Sequence, residues 1–415
     1  VADIDGSGTR PTGPDAEAVS ESSGPVTERG RASPDHPELW FAFTVFEGIT
    51  KRGAATALGL LLVASTVCGG CTSSSNAAPR SGNVARVARE AIVSVNRTPV
   101  PSSGCRSPAG ASVTDQLQGV FVDGVPRWYL LTTPAPGTPS PTADATTAPA
   151  TTPVARPLVL DFHGLAEGAS LHSESTRFGA LGQHDGFVVA FPEGTDDPVR
   201  WNTTDVSPSN PDLQFVAALL GALESTLCID MSRVYASGFS QGAYMVSLLA
   251  CTMSDRFAAI GAVSGLQLPS PCTTSRRVPV ITFHGTADPI LDFNGGVGTA
   301  NLDRLLGGGQ PVEPPSAASG PAKLNGPGIP AAVRTWAARD GCDDDPADTL
   351  LSSQVILRRY RCPPDTAVEF YIIVGGGHSW PGTNVSEAPA ADVGMTTSQT
   401  DATSVMWAFF HRFEL

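Results

Sequence analysis

Gly238-Phe239-Ser240-Gln241-Gly242 is the stretch whose reading decides the fold. Before it runs Arg233-Val234-Tyr235-Ala236-Ser237, whose β-branched and aromatic content reads as a short strand. After it runs Ala243-Tyr244-Met245-Val246-Ser247-Leu248-Leu249-Ala250, which reads as a helix. A strand, a sharp turn and a helix in that order hold a serine hydroxyl exposed at the carboxyl end of the strand, with the helix N-terminus behind it. The flanking glycines are needed because the turn is strained and crowded, and side chains there would block it. The pentapeptide alone is weak, because a surface Gly/Ser turn has the same letters.

What gives it weight is the company that follows. Val278-Pro279-Val280-Ile281-Thr282-Phe283-His284-Gly285-Thr286-Ala287-Asp288-Pro289 is a buried strand running into a turn that carries Asp288. Val368-Glu369-Phe370-Tyr371-Ile372-Ile373-Val374-Gly375-Gly376-Gly377-His378 is another strand, delivering His378 into a glycine-rich loop. A free serine hydroxyl is a poor nucleophile, so a base must take its proton, and His378 is suited to that. An acid must fix the imidazole tautomer and stabilise the imidazolium that forms. Asp288 fits that role, with Asp292 as the alternative. His172, His184 and His411 sit in polar or helical surroundings without such a strand-to-loop delivery, and His36 lies in the doubtful N-terminal segment. His163 and His284 precede glycines at strand ends, where an orienting role is expected. Acyl transfer also needs two backbone N–H groups for the tetrahedral oxyanion. Gln241, next after the serine, would supply one. Leu165, at the end of Leu158-Val159-Leu160-Asp161-Phe162-His163-Gly164, would supply the other.

Taken together these motifs resemble the polyhydroxybutyrate depolymerase, feruloyl esterase and acetyl xylan esterase group, a carbohydrate esterase family within the α/β-hydrolases. The resemblance rests on FHG at 162–164, GFVVAFPEG at 186–194, RVYASGFSQGAYM at 233–245, RFAAIGAVSG at 256–265, HGTADPI at 284–290 and GGGHSWPG at 375–382. It covers roughly residues 105–415 and implies an exported serine esterase with Ser240, Asp288 and His378 as its triad. Gln241 departs from the pattern, since related members often carry Asn or Met there. The resemblance allows feruloyl or acetyl esters of polysaccharides, polyhydroxybutyrate-type polyesters and simple acyl esters as substrates. An acyltransferase on the same triad, a peptidase or lactonase, and a non-catalytic cell-envelope binding protein are the other classes kept open. Trp201 and Trp380 are read either as lining an acyl pocket or as packing.

Composition narrows the partners. A formal net charge of -14 argues against nucleic acid or another anionic surface. There is no phosphate-binding loop, dinucleotide fingerprint or zinc-type Cys/His pattern, so no cofactor and no metal are expected. A monomer is expected. Short apolar strands alternating with longer helical runs predict an α/β fold with a mainly parallel central sheet. Strands are expected at 157–162, 187–191, 233–237, 278–283 and 368–374, and helices near 174–184, 212–226, 242–252 and 329–339. A hairpin is expected around Asp123-Gly124-Val125-Pro126.

The domain organisation follows from composition shifts. Residues 1–50 read as a doubtful, disordered extension arising from an over-extended gene start. Lys51-Arg52 and the apolar run Ala54–Val67 read as a signal sequence over 51–71, ending in a degenerate lipobox with Cys71 as the lipidated residue and membrane tether. Residues 72–104 read as a flexible tether and 105–415 as the catalytic domain, placing the enzyme outside the cell or in the envelope. The Pro/Thr/Ala-rich run 134–153 reads as a disordered insert. Residues 306–329 read as a surface loop or a lid. Six cysteines within the domain of an exported protein imply disulfides. Proximity pairs Cys251 with Cys272 and Cys342 with Cys362, leaving Cys105 for Cys228.

Overall fold

The computed structural model describes residues 98–415 apart from 109, 142–152, 275, 299–301, 303–319 and 386–389. The expected extension, the signal sequence with Cys71, and most of the tether, of the 134–153 insert and of the 306–329 loop lie outside the described residues. One boundary moves. Residues 98–104, assigned to the tether, are docked on the domain: Ser102 is buried, its amide donates to the Ile229 carbonyl at 2.8 Å, and the Val100 amide donates to Asp230 Oδ1 at 2.9 Å.

The described strands are β1 (Gln116–Val122), β2 (Val125–Thr132), β3 (Arg156–Phe162), β4 (Val188–Pro192), β5 (Ile229–Phe239), β6 (Ala259–Val263), β7 (Val280–Gly285), β8 (Ala347–Ser352), β9 (Val355–Arg359) and β10 (Val368–Ile373). They form one sheet in the order β1-β2-β4-β3-β5-β6-β7-β10-β9-β8. The interior run from β4 to β10 is parallel, while β1–β2, β2–β4, β10–β9 and β9–β8 pair antiparallel. The expected hairpin is β1–β2, closed at Val122 and Val125.

Helices cover both faces, as strands buried on two sides require. They are α1 (Gly168–Thr176), α2 (Phe178–Asp185), α3 (Pro211–Thr226), α4 (Gln241–Thr252), α5 (Ile329–Arg339), α6 (Ala390–Val393) and α7 (Ala402–Phe410). Alternation along the strands sorts the core into two layers. Leu158, Leu160, Val234, Ala236 and Phe370 face α3, α4 and α5, where Leu219, Leu248 and Trp336 meet them. Val159, Tyr235, Val263, Ile281 and Phe283 face the other way, toward Phe178 of α2 and Trp407 and Phe410 of α7. There Trp407 stacks on Phe187 at 3.7 Å between ring centroids, and Phe410 stacks on Tyr235 at 4.9 Å. Burial of each such side chain contributes about 1.5–3 kcal/mol.

This is the expected α/β-hydrolase architecture, with differences in detail. The helix expected over 174–184 is two, because Arg177 adopts a left-handed φ of 57° between Thr176 and Phe178, both buried. The pair β8–β9 and the C-terminal helix α7 were not expected. All three expected disulfides are present: Cys105–Cys228, Cys251–Cys272 and Cys342–Cys362.

Candidate active site

Ser240 sits in the turn between β5 and α4 with φ 53° and ψ -113°, a conformation that L-residues seldom adopt. The turn is held from behind by the Ser240 amide donating to the Val263 carbonyl at 2.8 Å. A side chain at Gly238 would meet the backbone of Gly242, and one at Gly242 would meet the Phe162 carbonyl on β3. The two glycines therefore let the strand-to-helix turn close tightly against its neighbour, as the sequence predicts.

Asp288 follows β7 and His378 follows β10, so both arrive at the same carboxyl edge of the sheet as Ser240. Their loops are stitched together: the Thr286 amide donates to the Ile373 carbonyl at 2.9 Å and the Ala287 amide to the Gly376 carbonyl at 2.8 Å. His378 Nδ1–H donates to Asp288 Oδ2 at 2.8 Å, and both side chains are buried. The other carboxylate oxygen of Asp288 accepts the Ile290 and Leu291 amides, each at 2.9 Å. Burial pushes the Asp288 carboxyl up, but His378, His284 and the Leu291 amide outweigh it and hold the group below the usual carboxylate range. Asp292 accepts instead from the Asn294 amide at 2.7 Å. His284 Nε2–H donates to the Leu291 carbonyl at 2.7 Å, which braces the turn bearing Asp288, and burial keeps its pKa down.

Across Ser240 lies the loop after β3. The amides on both sides of Leu165 are engaged: Gly164 donates to Glu167 Oε2 at 2.7 Å and Ala166 to the Val199 carbonyl at 2.8 Å. Leu165 itself lines the cavity with Ser240 and Gln241. His163 accepts the Gly194 amide on Nε2 at 2.9 Å, so its Nδ1–H donates to the Gly164 carbonyl at 2.7 Å. Burial lowers its pKa, in keeping with this neutral tautomer. The Gln241 side chain is also occupied, its Oε1 accepting the Trp201 amide at 2.9 Å. Gln241 therefore ties the elbow to the 195–201 loop.

The cavity above these groups has a volume of about 360 Å³ and is lined mainly by apolar side chains, among them Phe239, Tyr244, Ile290 and Leu291. Trp380 belongs to its wall, with its indole N–H anchored on Thr403 Oγ1 at 3.0 Å. Trp201 does not line it. The pocket role considered for Trp201 gives way to packing: the side chain is buried edge-on to Phe162, and its indole N–H donates to the His163 carbonyl at 3.0 Å.

Sequence reasoning missed Asp161, Glu167 and His172. His172 on α1 is fully buried, with Nδ1 3.2 Å from Glu167 Oε2 and Nε2 3.1 Å from Asp161 Oδ1. Asp161 in turn accepts from Ser237 Oγ at 2.6 Å and Thr176 Oγ1 at 2.7 Å. The only available signal was an aspartate inside the apolar strand LVLDF, where a charge needs a partner.

Comparison with known proteins adds lineage to this geometry. The family model described as Esterase PHB depolymerase matches residues 145–300. The protein named "Putative esterase NocK" from Nocardia uniformis subsp. tsuyamanensis is 30% identical over 365 residues, covering 85% of this chain and 95% of that protein. Feruloyl esterase B of Piromyces equi is 28% identical over 233 residues, 54% of this chain and 40% of its own length. The solved acetyl xylan esterase from Aspergillus awamori aligns with a TM-score of 0.45 at 13% identity, covering 71% of this chain and 99% of that one, too loose a likeness to argue from.

Proposed function

From the premise that the chain belongs to the PHB depolymerase family of esterases and hydrolyses carboxylic esters, we propose that it does so through Ser240, His378 and Asp288 by way of an acyl-enzyme. The observation that carries this reading is the His378–Asp288 hydrogen bond facing a cavity whose wall includes Ser240 in a strained elbow. With Nδ1–H committed to Asp288, the opposite ring nitrogen of His378 is the base. It takes the Ser240 proton as Oγ attacks the ester carbonyl carbon. The Leu165 and Gln241 amides hold the oxyanion, a stabilisation of several kcal/mol, about 3 or more. His378 then gives the proton to the departing alcohol, and the C–O bond breaks to leave acyl-Ser240. Water, deprotonated by His378, repeats the sequence and releases the acid.

The cavity volume of about 360 Å³ lies near the lower end of ligand pockets, and its wall is apolar with Trp380 included. It suits one acyl group of a feruloyl or acetyl ester on a polysaccharide, or of a polyhydroxybutyrate-type polyester, with the rest of the polymer outside. Three disulfides support an extracellular or envelope location. The test is turnover of nitrophenyl esters, methyl ferulate, acetylated xylan and soluble 3-hydroxybutyrate oligomers by protein exported with its disulfides, beside Ser240→Ala. Turnover that vanishes in the variant is expected, and its preferred ester names the acyl group. Turnover that survives Ser240→Ala would remove the serine mechanism.

A further inference from the structure

The mechanism above uses neither His172 nor the two carboxylates around it, yet they form a buried charged cluster beside Ser240. Resting on the serine-esterase reading, we propose that His172 is a positioning residue: by bridging Asp161 and Glu167 it fixes the carboxylate that holds Gly164, and so aims the Leu165 amide at the ester carbonyl oxygen.

The geometry favours a charged bridge. A neutral imidazole carries one N–H, so one of its nitrogens would turn a lone pair toward a carboxylate. Here both ring nitrogens of His172 face carboxylate oxygens, within 3.2 Å. Nδ1 hydrogen-bonds Glu167, Nε2 stands against Asp161 as an ion-pair contact without hydrogen-bond geometry, and an imidazolium is attracted to both carboxylates. Burial pushes the imidazole down, but Asp161 and Glu167 outweigh it and raise its pKa to about 10. The reciprocal effect is visible on Glu167. Burial would raise that carboxyl, and His172 with the Gly164 amide keeps it low. Other titratable groups stand nearby, among them Asp115, which accepts from Ser173 Oγ on the same helix at 3.1 Å. His163 is neutral in its Nδ1–H tautomer, and Glu193 after β4 accepts the Ala169 amide at 2.7 Å, at the start of α1.

Through this one ring the two halves of the reacting centre become a single object. Asp161 on β3 stands in register with Ser237 on β5, three residues before Ser240, and accepts its hydroxyl. Glu167 accepts the Gly164 amide, while its own amide donates back to the Gly164 carbonyl at 3.3 Å. That reciprocal closure leaves Leu165 at the apex of the loop, where its amide direction depends on the Glu167 oxygen staying in place. Phe191 and Trp380 meet the ring of His172 edge-on, and the ring itself borders the cavity.

The experiment compares the full chain with His172→Gln and Glu167→Gln. It reads kcat and KM on a soluble nitrophenyl ester, affinity for phenylboronic acid, and NMR of the His172 ring and the Leu165 amide. Misaiming one oxyanion donor should lower kcat of His172→Gln by about tenfold to a hundredfold with KM within about threefold, and weaken the boronate adduct in parallel. Glu167→Gln keeps an oxygen for the Gly164 amide and should lose less kcat, while the His172 ring, short of one carboxylate, should titrate well below its wild-type value. The Leu165 amide resonance should move in His172→Gln. If His172→Gln leaves kcat and boronate affinity within twofold while only thermal stability falls, the residue is structural and the proposal fails. It also fails if the wild-type ring titrates near an ordinary histidine, or if the Leu165 amide does not move. Failure of the parent reading looks different: wild-type protein without Ser240-dependent turnover. The two NMR readouts then judge the network by themselves.

Discussion

Two buried imidazole–carboxylate pairs flank Ser240, and they are wired in opposite ways. On one side His378 spends a single nitrogen on Asp288, whose remaining oxygen is taken up by backbone amides. The other ring nitrogen is the one the proposed mechanism uses as base. On the opposite side His172 sets its two nitrogens against two carboxylates, Nδ1 hydrogen-bonded to Glu167 and Nε2 3.1 Å from Asp161. On the proposed mechanism the first pair moves a proton and the second keeps one. On the two proposals made above, the same two residue types at similar burial serve catalysis or scaffolding according to how many carboxylates face the ring. Burial alone would have pushed the His172 imidazole toward its neutral form.

That contrast can be broken at several points. The largest effect is expected from Asp288→Asn, which keeps the shape but offers His378 the wrong partner. It should lower kcat by about 10³–10⁴-fold at little change in KM, measured by steady-state kinetics with circular dichroism as the check on folding. Activity within tenfold of wild type would mean that Asp288 does not orient the base. His172→Gln comes next, at the tenfold to hundredfold loss given above, and a loss equal to that of Asp288→Asn would erase the distinction between the two pairs.

The pH dependence of stability is a smaller and purely thermodynamic discriminator. His172 has a folded pKa raised to about 10, above the unfolded value of about 6.5. Its contribution is therefore complete below about pH 6.5 and is lost as the pH climbs through 10, by at most about 1.4 kcal/mol per pH unit. Urea denaturation between pH 7 and 10 should show this decline in wild type and a flatter profile in His172→Gln. Equal slopes would mean that the ring is not held charged. Smallest is Trp201→Phe, which deletes the bond to the His163 carbonyl. It should cost about 1 kcal/mol of stability and leave ester preference alone. A changed preference in the substrate panel would return Trp201 to the pocket wall.

The sequence was most legible where one local signal carries one residue. The elbow glycines, the strand leading to Asp288 and the glycine loop around His378 each announce their position within a few letters, and the short spacings of Cys251–Cys272 and Cys342–Cys362 decide their pairing. The His172 cluster was illegible for the opposite reason. Asp161, Glu167 and His172 come from a strand, a loop and a helix, and only the register of β3 on β5 and the docking of α1 bring them together. β8 was missed because its outward residues are nearly all exposed and show no alternation, so its pairing with β9 makes the strand. Helix α7 did carry a start signal, Asp401 accepting the Ser404 amide at 2.8 Å, that a closer reading for caps would have found.

The Cys105–Cys228 bond gives the chain a connectivity that its linear order hides. A backbone cut anywhere between Thr132 and Arg156 would split β1 and β2 from everything after them. Ser240, Asp288, His378, Leu165 and His172 would all remain on the second piece. The first piece could not leave, because Cys105 is bonded across the cut and Tyr129–Thr132 stays laddered to Val189–Pro192. A nicked molecule should therefore run as one species without reductant and as two with it, and still turn over ester. Severing the chain there and inactivating it are therefore separate events.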